Sequence, residues 1–241
     1  MFKSLRNLLF VIFIIFVNNA FAKEDEMKKA FRASLEGGAT IVNGNSKTTS
    51  YYSDVKTEYD FKEKWKNILQ GRAENKSEND IRSKEYYRLN NQTRYAFSQA
   101  NYALLELEYV DDRFGGYDYR LSETLGLGRE IYKNEKINFS GQVGGGYRQI
   151  KLSDGTQSSV FAARTAFDFK WQLTKSIYFN EHLDISIDRE ATITRSEANL
   201  KAQLNSSLYL KLFYLIENKS SVPAGVKNTD STTMVILGYE F

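Results

Sequence analysis

His182 is the one histidine in this 241-residue chain, and there is no cysteine. Any acid–base or metal chemistry must therefore be assembled around that imidazole and the carboxylates. Asp184, Ser186 and Asp188 follow at two-residue spacing, which in a strand puts all four side chains on one face. A lipid hydrolase would need a nucleophile within reach of its base and a third group to orient that base. Neighbours two apart on a strand point the same way, and no orienting group is evident, so the spacing predicts a hydrogen-bonded interior histidine. A lone histidine without thiolates cannot complete a histidine-ligated metal site. No catalytic residue, cofactor or metal is expected.

Asp111, Asp112 and Asp118 form a second cluster. Such carboxylates could hold a divalent cation, for instance one bridging lipopolysaccharide phosphates. Their spacing lacks the fuller ligand set of a calcium loop, whereas Asp beside Gly115 and Gly116 sets a hairpin turn. The turn is the expected role.

The largest set is basic. Arg72, Arg82, Arg88, Arg94, Arg120, Arg148, Arg164 and Lys170 recur on the polar face of alternating segments, together with Glu74, Glu106, Glu108, Asp168 and Asp184. Inside a barrel these charges would either pair and plug the lumen or line a narrow pore, where arginine favours anions. Gly126, Gly128, Gly144 and Gly146 share that face. They either permit curvature and close approach or leave a local opening.

The elements positioning these groups read as strands. From Phe31 onward the apolar period is two. Tyr51, Val55, Tyr59 and Phe61 alternate with Asp54, Lys56, Glu58 and Asp60, and Phe167, Phe169 and Trp171 with Asp168 and Lys170. Many segments run to about ten residues, where soluble strands usually run five or six. Aromatics such as Phe61, Trp65, Tyr109 and Trp171 stand at their ends, as in interfacial girdles. The pattern predicts an all-β chain, a transmembrane antiparallel β-barrel of about twelve strands over residues 30–241, with ten to fourteen compatible. Connections near 61–64, 98–101, 131–135, 173–176 and 204–206 read as tight. Those near 43–48, 75–80, 111–116, 151–158, 188–192 and 218–231 read as longer, an alternation of inner turns and outer loops.

Both chain ends fit export. Lys3 and Arg6 precede an apolar run, Leu8 to Val17, and Ala20-Phe21-Ala22 supplies small residues for cleavage. That layout predicts a secretory signal peptide over 1–22, followed by a short charged periplasmic lead-in, 23–29. The run is too short to span a bilayer as a helix, which needs about 20 residues. Without the leader, 31 basic residues face 30 acidic ones, a net charge of +1, which argues against nucleic acid as a partner. Mean hydropathy of −0.50 excludes a helical membrane bundle but not a barrel. At the other end Thr233, Val235, Leu237, Tyr239 and Phe241 share one strand face. A last strand closing on Phe looks like the signal read by the barrel-assembly machinery, with Tyr239 and Phe241 its aromatic end.

One stretch carries a family likeness. Tyr109-Val-Asp111-Asp112-Arg-Phe114-Gly-Gly116-Tyr-Asp-Tyr119-Arg120, then Gly126-Leu-Gly128 and Gly144-Gly-Gly146-Tyr147-Arg148, resemble the YdiY-like family of salt-induced outer-membrane proteins, which share a domain of unknown function. The resemblance covers roughly residues 30 to 241, and the hairpin of Asp111, Asp112, Phe114 and Gly116 is its most specific part. It implies a barrel in the outer membrane of a Gram-negative cell and brings no established substrate.

The expected protein is a non-enzymatic envelope barrel, in the leading reading a narrow channel for small ions or hydrophilic solutes, with a closed structural barrel supporting the envelope under osmotic or salt stress as the alternative and a lipid-active enzyme third. The best lining residues are Arg82, Arg88, Arg94, Glu106 and Glu108. Expected partners are outer-membrane lipid and lipopolysaccharide, with the barrel-assembly machinery and periplasmic chaperones during biogenesis.

Overall fold

Alternating side chains with almost no proline drive each element into a strand whose two faces differ in polarity. The computed structural model describes residues 30–42, 48–61, 64–115, 117–152, 154–222 and 227–241. The expected leader 1–22, the lead-in 23–29, residues 43–47 of the connection near 43–48, and Gly116 lie outside the described residues. The strands are β1 (Phe31–Val42), β2 (Thr48–Phe61), β3 (Trp65–Glu78), β4 (Ile81–Ala96), β5 (Asn101–Asp112) and β6 (Tyr117–Lys133). They continue as β7 (Ile137–Leu152), β8 (Gln157–Gln172), β9 (Ile177–Ile187), β10 (Thr192–Gln203), β11 (Leu208–Lys219) and β12 (Thr229–Glu240).

Each strand pairs antiparallel with its sequence neighbours, and β12 returns to β1, so the sheet closes as an up-and-down barrel. Closure removes the free edges that an open sheet would expose. The closing seam is short. β1 and β12 share four register pairs, Ser34–Glu240 to Gly37–Leu237, and the Phe241 N–H donates to the Ala33 carbonyl at 2.9 Å.

Outward positions are apolar around the girth, with Leu35, Leu125, Val143, Phe161, Leu212 and Val235 all exposed. Inward positions bury Asp54, Arg72, Glu74, Glu106, Arg148 and Arg195. An apolar exterior around a charged interior is the polarity of a barrel in lipid. The longest strand, β6, has 17 residues. At roughly 3.3 Å per residue and about 45° of tilt it rises roughly 40 Å, well beyond an apolar band of about 25 Å.

The interior also has an apolar wall that the alternation did not reveal. Tyr52, Phe213, Leu215, Met234 and Ile236 form one buried cluster, because β11 and the run Met234 to Leu237 in the second half of β12 carry apolar residues on both faces. This wall backs the seam beside Gly38, where an added Cβ would lie 3.3 Å from Ile236 Cγ1.

Two expectations need correction. The segment 75–80 is not a long loop: β3 runs to Glu78 and a two-residue turn, Asn79-Asp80, leads into β4. Both turn residues have positive φ, 50° and 63°, the left-handed conformation that Asn and Asp tolerate in tight hairpins. At that end of the barrel only 220–228 is long, so loop length does not mark the two ends as predicted. Arg82 is not on the inward face. A register shift between Lys76 and Ser77 breaks the alternation at Ser83. Arg82 consequently stands at the rim beside Tyr51 and Tyr87, with its side chain 58% exposed and paired to Glu85 at 2.7 Å.

Candidate functional site

The interior is crossed by ion pairs. Arg72 on β3 gives its Nε to Asp54 at 2.9 Å and its two terminal nitrogens to Glu197 on β10 at 3.0 and 3.1 Å. β3 and β10 are five places apart in the ring of twelve strands, so this fork spans the lumen. Its guanidinium lies 5.5 Å from the ring centroids of both Tyr52 and Phe213, where apolar wall and charged network meet. Arg195, also on β10, holds Glu197 at 2.7 Å and donates to the Tyr86 hydroxyl at 3.3 Å. Tyr86 is on β4, diametrically opposite. A bidentate arginine–carboxylate contact fixes both distance and orientation, so these links tie facing walls together.

The flanks are paired as well. Arg88 holds Glu108 at 2.7 Å and Arg120 reaches the same carboxylate at 3.3 Å. Arg164 bridges Glu106, at 3.1 Å, and Asp184. Arg148 pairs with Asp188 and Ser186, and Gln92 donates to Glu106. Arg94 donates to Gln92 and lies 4.9 Å from the Tyr102 ring centroid, with no ion pair among the described residues. Of the residues expected to line the lumen, Arg72, Arg88, Arg94, Glu106, Glu108, Arg120, Arg148, Arg164 and Asp168 project inward, and Arg82 does not.

Sequence reasoning missed several members. Arg195 and Glu197 share the inward face of β10 with Asn199 and Lys201 at two-residue spacing, a signal visible once the strand is begun at Thr192. Asp54, Glu36 and Lys211 belong too, with the Tyr209 hydroxyl and Lys211 both donating to Glu36.

His182 has the orienting group that the sequence did not reveal. Asp168 faces it across β8 and β9, with Nδ1 2.8 Å from Oδ1. That is the base–carboxylate half of a hydrolase, but no hydroxyl reaches the other ring nitrogen among the described residues, and Ser186 is engaged by Arg148. Among the described residues the acidic cluster does not come together as a cation site. Asp112 caps its own turn, accepting the Phe114 N–H at 3.3 Å, and Asp118 pairs with Lys151 at 2.9 Å. Phe114 is half exposed in that hairpin, and Tyr239 and Phe241 pack edge to face at 4.7 Å on the outside.

The glycines resolve toward close approach. A Cβ on Gly146 would come 1.7 Å from the Glu123 carbonyl oxygen, and one on Gly126 or Gly144 2.6 Å from a backbone oxygen. Gly128 lies under the Tyr102 ring, as Gly238 lies under Tyr209.

The profile of the family described as "Protein of unknown function, DUF481" matches residues 35–241. The chain belongs to this family. It is 29% identical over 214 residues to the uncharacterized protein YdiY of Escherichia coli K12, covering 88% of this chain and 84% of that relative. Among solved structures it resembles the NanC porin, with a TM-score of 0.51 at 10% identity over 87% of this chain and 97% of that one. The COG4313 outer membrane channel from Pseudomonas putida F1 matches similarly, with a TM-score of 0.51 at 10% identity over 88% and 94%. At such identity the likeness concerns the fold, a closed antiparallel barrel of the outer-membrane type.

Proposed function

We propose that this family member is a non-enzymatic barrel of the Gram-negative outer membrane whose resting lumen is closed to solutes by an ion-paired plug. The observation that carries this reading is the Arg72–Glu197 fork between walls five strands apart. Export would use the leader over 1–22, and insertion would use the barrel-assembly machinery, with Tyr239 and Phe241 presented outward on the last strand. Its standing partners are lipid and lipopolysaccharide, and the family resemblance adds a role in supporting the envelope under osmotic or salt stress. Liposomes carrying the folded protein should not swell in an isotonic monosaccharide. Swelling at the rate of porin-bearing vesicles would contradict the plug.

The second reading is a narrow channel for small ions. It is favoured by a cavity of about 60 Å³ beside the fork, lined by charges of both signs, among them Arg88, Arg120 and Arg164 with Glu106, Glu108 and Asp184. A lipid-active enzyme has least support, because among the described residues the His182–Asp168 pair contacts no nucleophile. Replacing His182 with Ala should leave any lipid hydrolysis in a purified sample unchanged, whereas its loss would make the pair catalytic.

A further inference from the structure

The register shift that keeps Arg82 out of the lumen sets it over a cleft on the outer surface of the barrel. Thr49 and Tyr51 of β2, Asn75 and Ser77 of β3, and Arg82 and Tyr87 of β4 line a space of about 380 Å³. The cleft exists because β3 carries short side chains between two exposed tyrosines. Deepest in the wall, Val55, Gly71 and Leu89 stand in register, followed by Ser53, Ala73 and Tyr87. Nearer the rim come Tyr51, Asn75 and Glu85, then Thr49, Ser77 and Arg82. A methyl added at Gly71 would meet only Leu89 Cδ1, at 4.0 Å. The floor is therefore a shallow groove, apolar deep in the wall and polar where it opens at the rim.

Among the described residues Arg82 is the one charged side chain lining the cleft, and no carboxylate lines it. Its Nη1 donates to Glu85 at 2.7 Å, and Arg113 holds the same carboxylate at 2.9 Å. Glu85 is 8% exposed while both arginines are more than half exposed, so two guanidiniums cover one acid. Asp111 stands beyond Tyr87 on β5, and Glu78 pairs with Lys76. A guanidinium carries five N–H groups, and Arg82 Nε and Nη2 engage no acceptor among the described residues. Arginine meets phosphate through two parallel bonds, and the amide and hydroxyls of Asn75, Ser77 and Thr49 suit a sugar. A phosphate alone would leave most of the cleft empty, whereas a phosphorylated sugar is of its size. Tyrosines such as Tyr51 and Tyr87 sit at the membrane–water interface, which puts polar cleft and apolar groove at the levels of a lipid's headgroup and chains.

We propose that this cleft binds a phosphorylated glycolipid of the outer leaflet, the lipid A part of lipopolysaccharide. Its phosphate sits on Arg82, its sugar between Tyr51 and Tyr87, and an acyl chain along Gly71 and Ala73. The site rests on the outer-membrane reading above, in which the end of the barrel away from both chain termini faces outward. It does not depend on whether the lumen conducts.

The test titrates the purified folded barrel in dodecyl maltoside with bisphosphorylated lipid A and follows bound lipid by native mass spectrometry. Lipid A should bind about tenfold tighter than phosphatidylglycerol, and Arg82→Gln should weaken lipid A binding about tenfold, the worth of one hydrogen bond to a charged group. Arg189→Gln removes an exposed guanidinium from another turn at the same end and should change nothing. Ala73→Leu fills the groove with every charge in place, so it should weaken binding too, and it serves if Arg82→Gln does not fold. Equal affinity for lipid A and phosphatidylglycerol would overturn the site, as would wild-type affinity in Arg82→Gln or, where that variant does not fold, in Ala73→Leu. Equal losses in Arg82→Gln and Arg189→Gln would mean general attraction to the rim and would overturn it as well. Fractionation of the cell envelope decides the membrane separately. A barrel in the outer membrane that fails to bind lipid A keeps its placement and loses this site, whereas one found elsewhere loses both.

Discussion

Arg72 and Glu197 join facing walls of the barrel through two parallel hydrogen bonds of 3.0 and 3.1 Å. The arginine side chain is 3% exposed and the glutamate 13%. Removing one member strands the charge of the other, which for a buried pair costs roughly 3–5 kcal/mol. Glu197 keeps Arg195 as a second partner, so the low end, about 3 kcal/mol, is expected for Arg72→Ala. Arg72→Met with Glu197→Leu should lose less than the sum of the two single changes, because neither charge is then stranded. Urea unfolding in vesicles measures all three, and additive losses would mean that the fork is not coupled.

Glycine-to-alanine changes should separate two kinds of site. At Gly146 an added methyl meets the Glu123 carbonyl oxygen at 1.7 Å, whereas at Gly37 it meets nothing within 4 Å. Backbone in mid-strand cannot move aside cheaply, so Gly146→Ala should cost about 3 kcal/mol or prevent folding. Gly37→Ala should be neutral or stabilising by up to about 1 kcal/mol. Equal unfolding midpoints for the two variants would contradict the close packing of β6 on β7.

Glu181 occupies the outward face of β9, between Phe179 and Leu183, and accepts a hydrogen bond from the Ser196 hydroxyl at 2.6 Å. A carboxylate on the lipid face destabilises a barrel in a depth-dependent way. Glu181→Leu should therefore stabilise the protein by on the order of 1 kcal/mol. A loss of stability would show that the Glu181–Ser196 pair is needed where it stands.

The seam should open first. Among the described residues β1 and β12 share four register pairs, from Ser34 to Gly37, while β2 and β3 pair from Thr48 to Phe61. Local stability follows such differences in pairing. Amide exchange at Gly38 and Ala39 should be faster than at Val55 and Lys56 in the same preparation. Equal protection would mean that the apolar wall of Phe213, Met234 and Ile236 seals the seam as firmly as a ladder does.

Barrel topology was legible because a period of two survives in nearly every strand, and a closed ring of such strands has one way to bury its polar face in lipid. Arg72, Arg88, Glu106 and Glu108 were readable as inward for the same reason. Arg82 was not, since one extra residue near Ser83 inverts the faces beyond it and bulges leave little trace in composition. Phe213 and Met234 were hidden because β11 and β12 are apolar on both sides, so alternation there has no contrast. The partners across the lumen, Arg72 with Glu197 and Arg195 with Tyr86, depend on strand positions around the ring, which local spacing does not encode. His182 met its partner in the same way: Asp168 is its direct neighbour only once β8 and β9 are in register.

The most direct measurement is single-channel conductance of refolded residues 23–241 in a planar bilayer under asymmetric salt, with folding verified by heat-modifiable gel mobility. The expected result is a quiet bilayer at low voltage, without discrete porin-like steps, because the Arg72–Glu197 fork and its neighbours cross the lumen. Discrete steps with a defined reversal potential in the wild-type protein would contradict a closed barrel and would make the cavity lined by arginines and carboxylates an ion path.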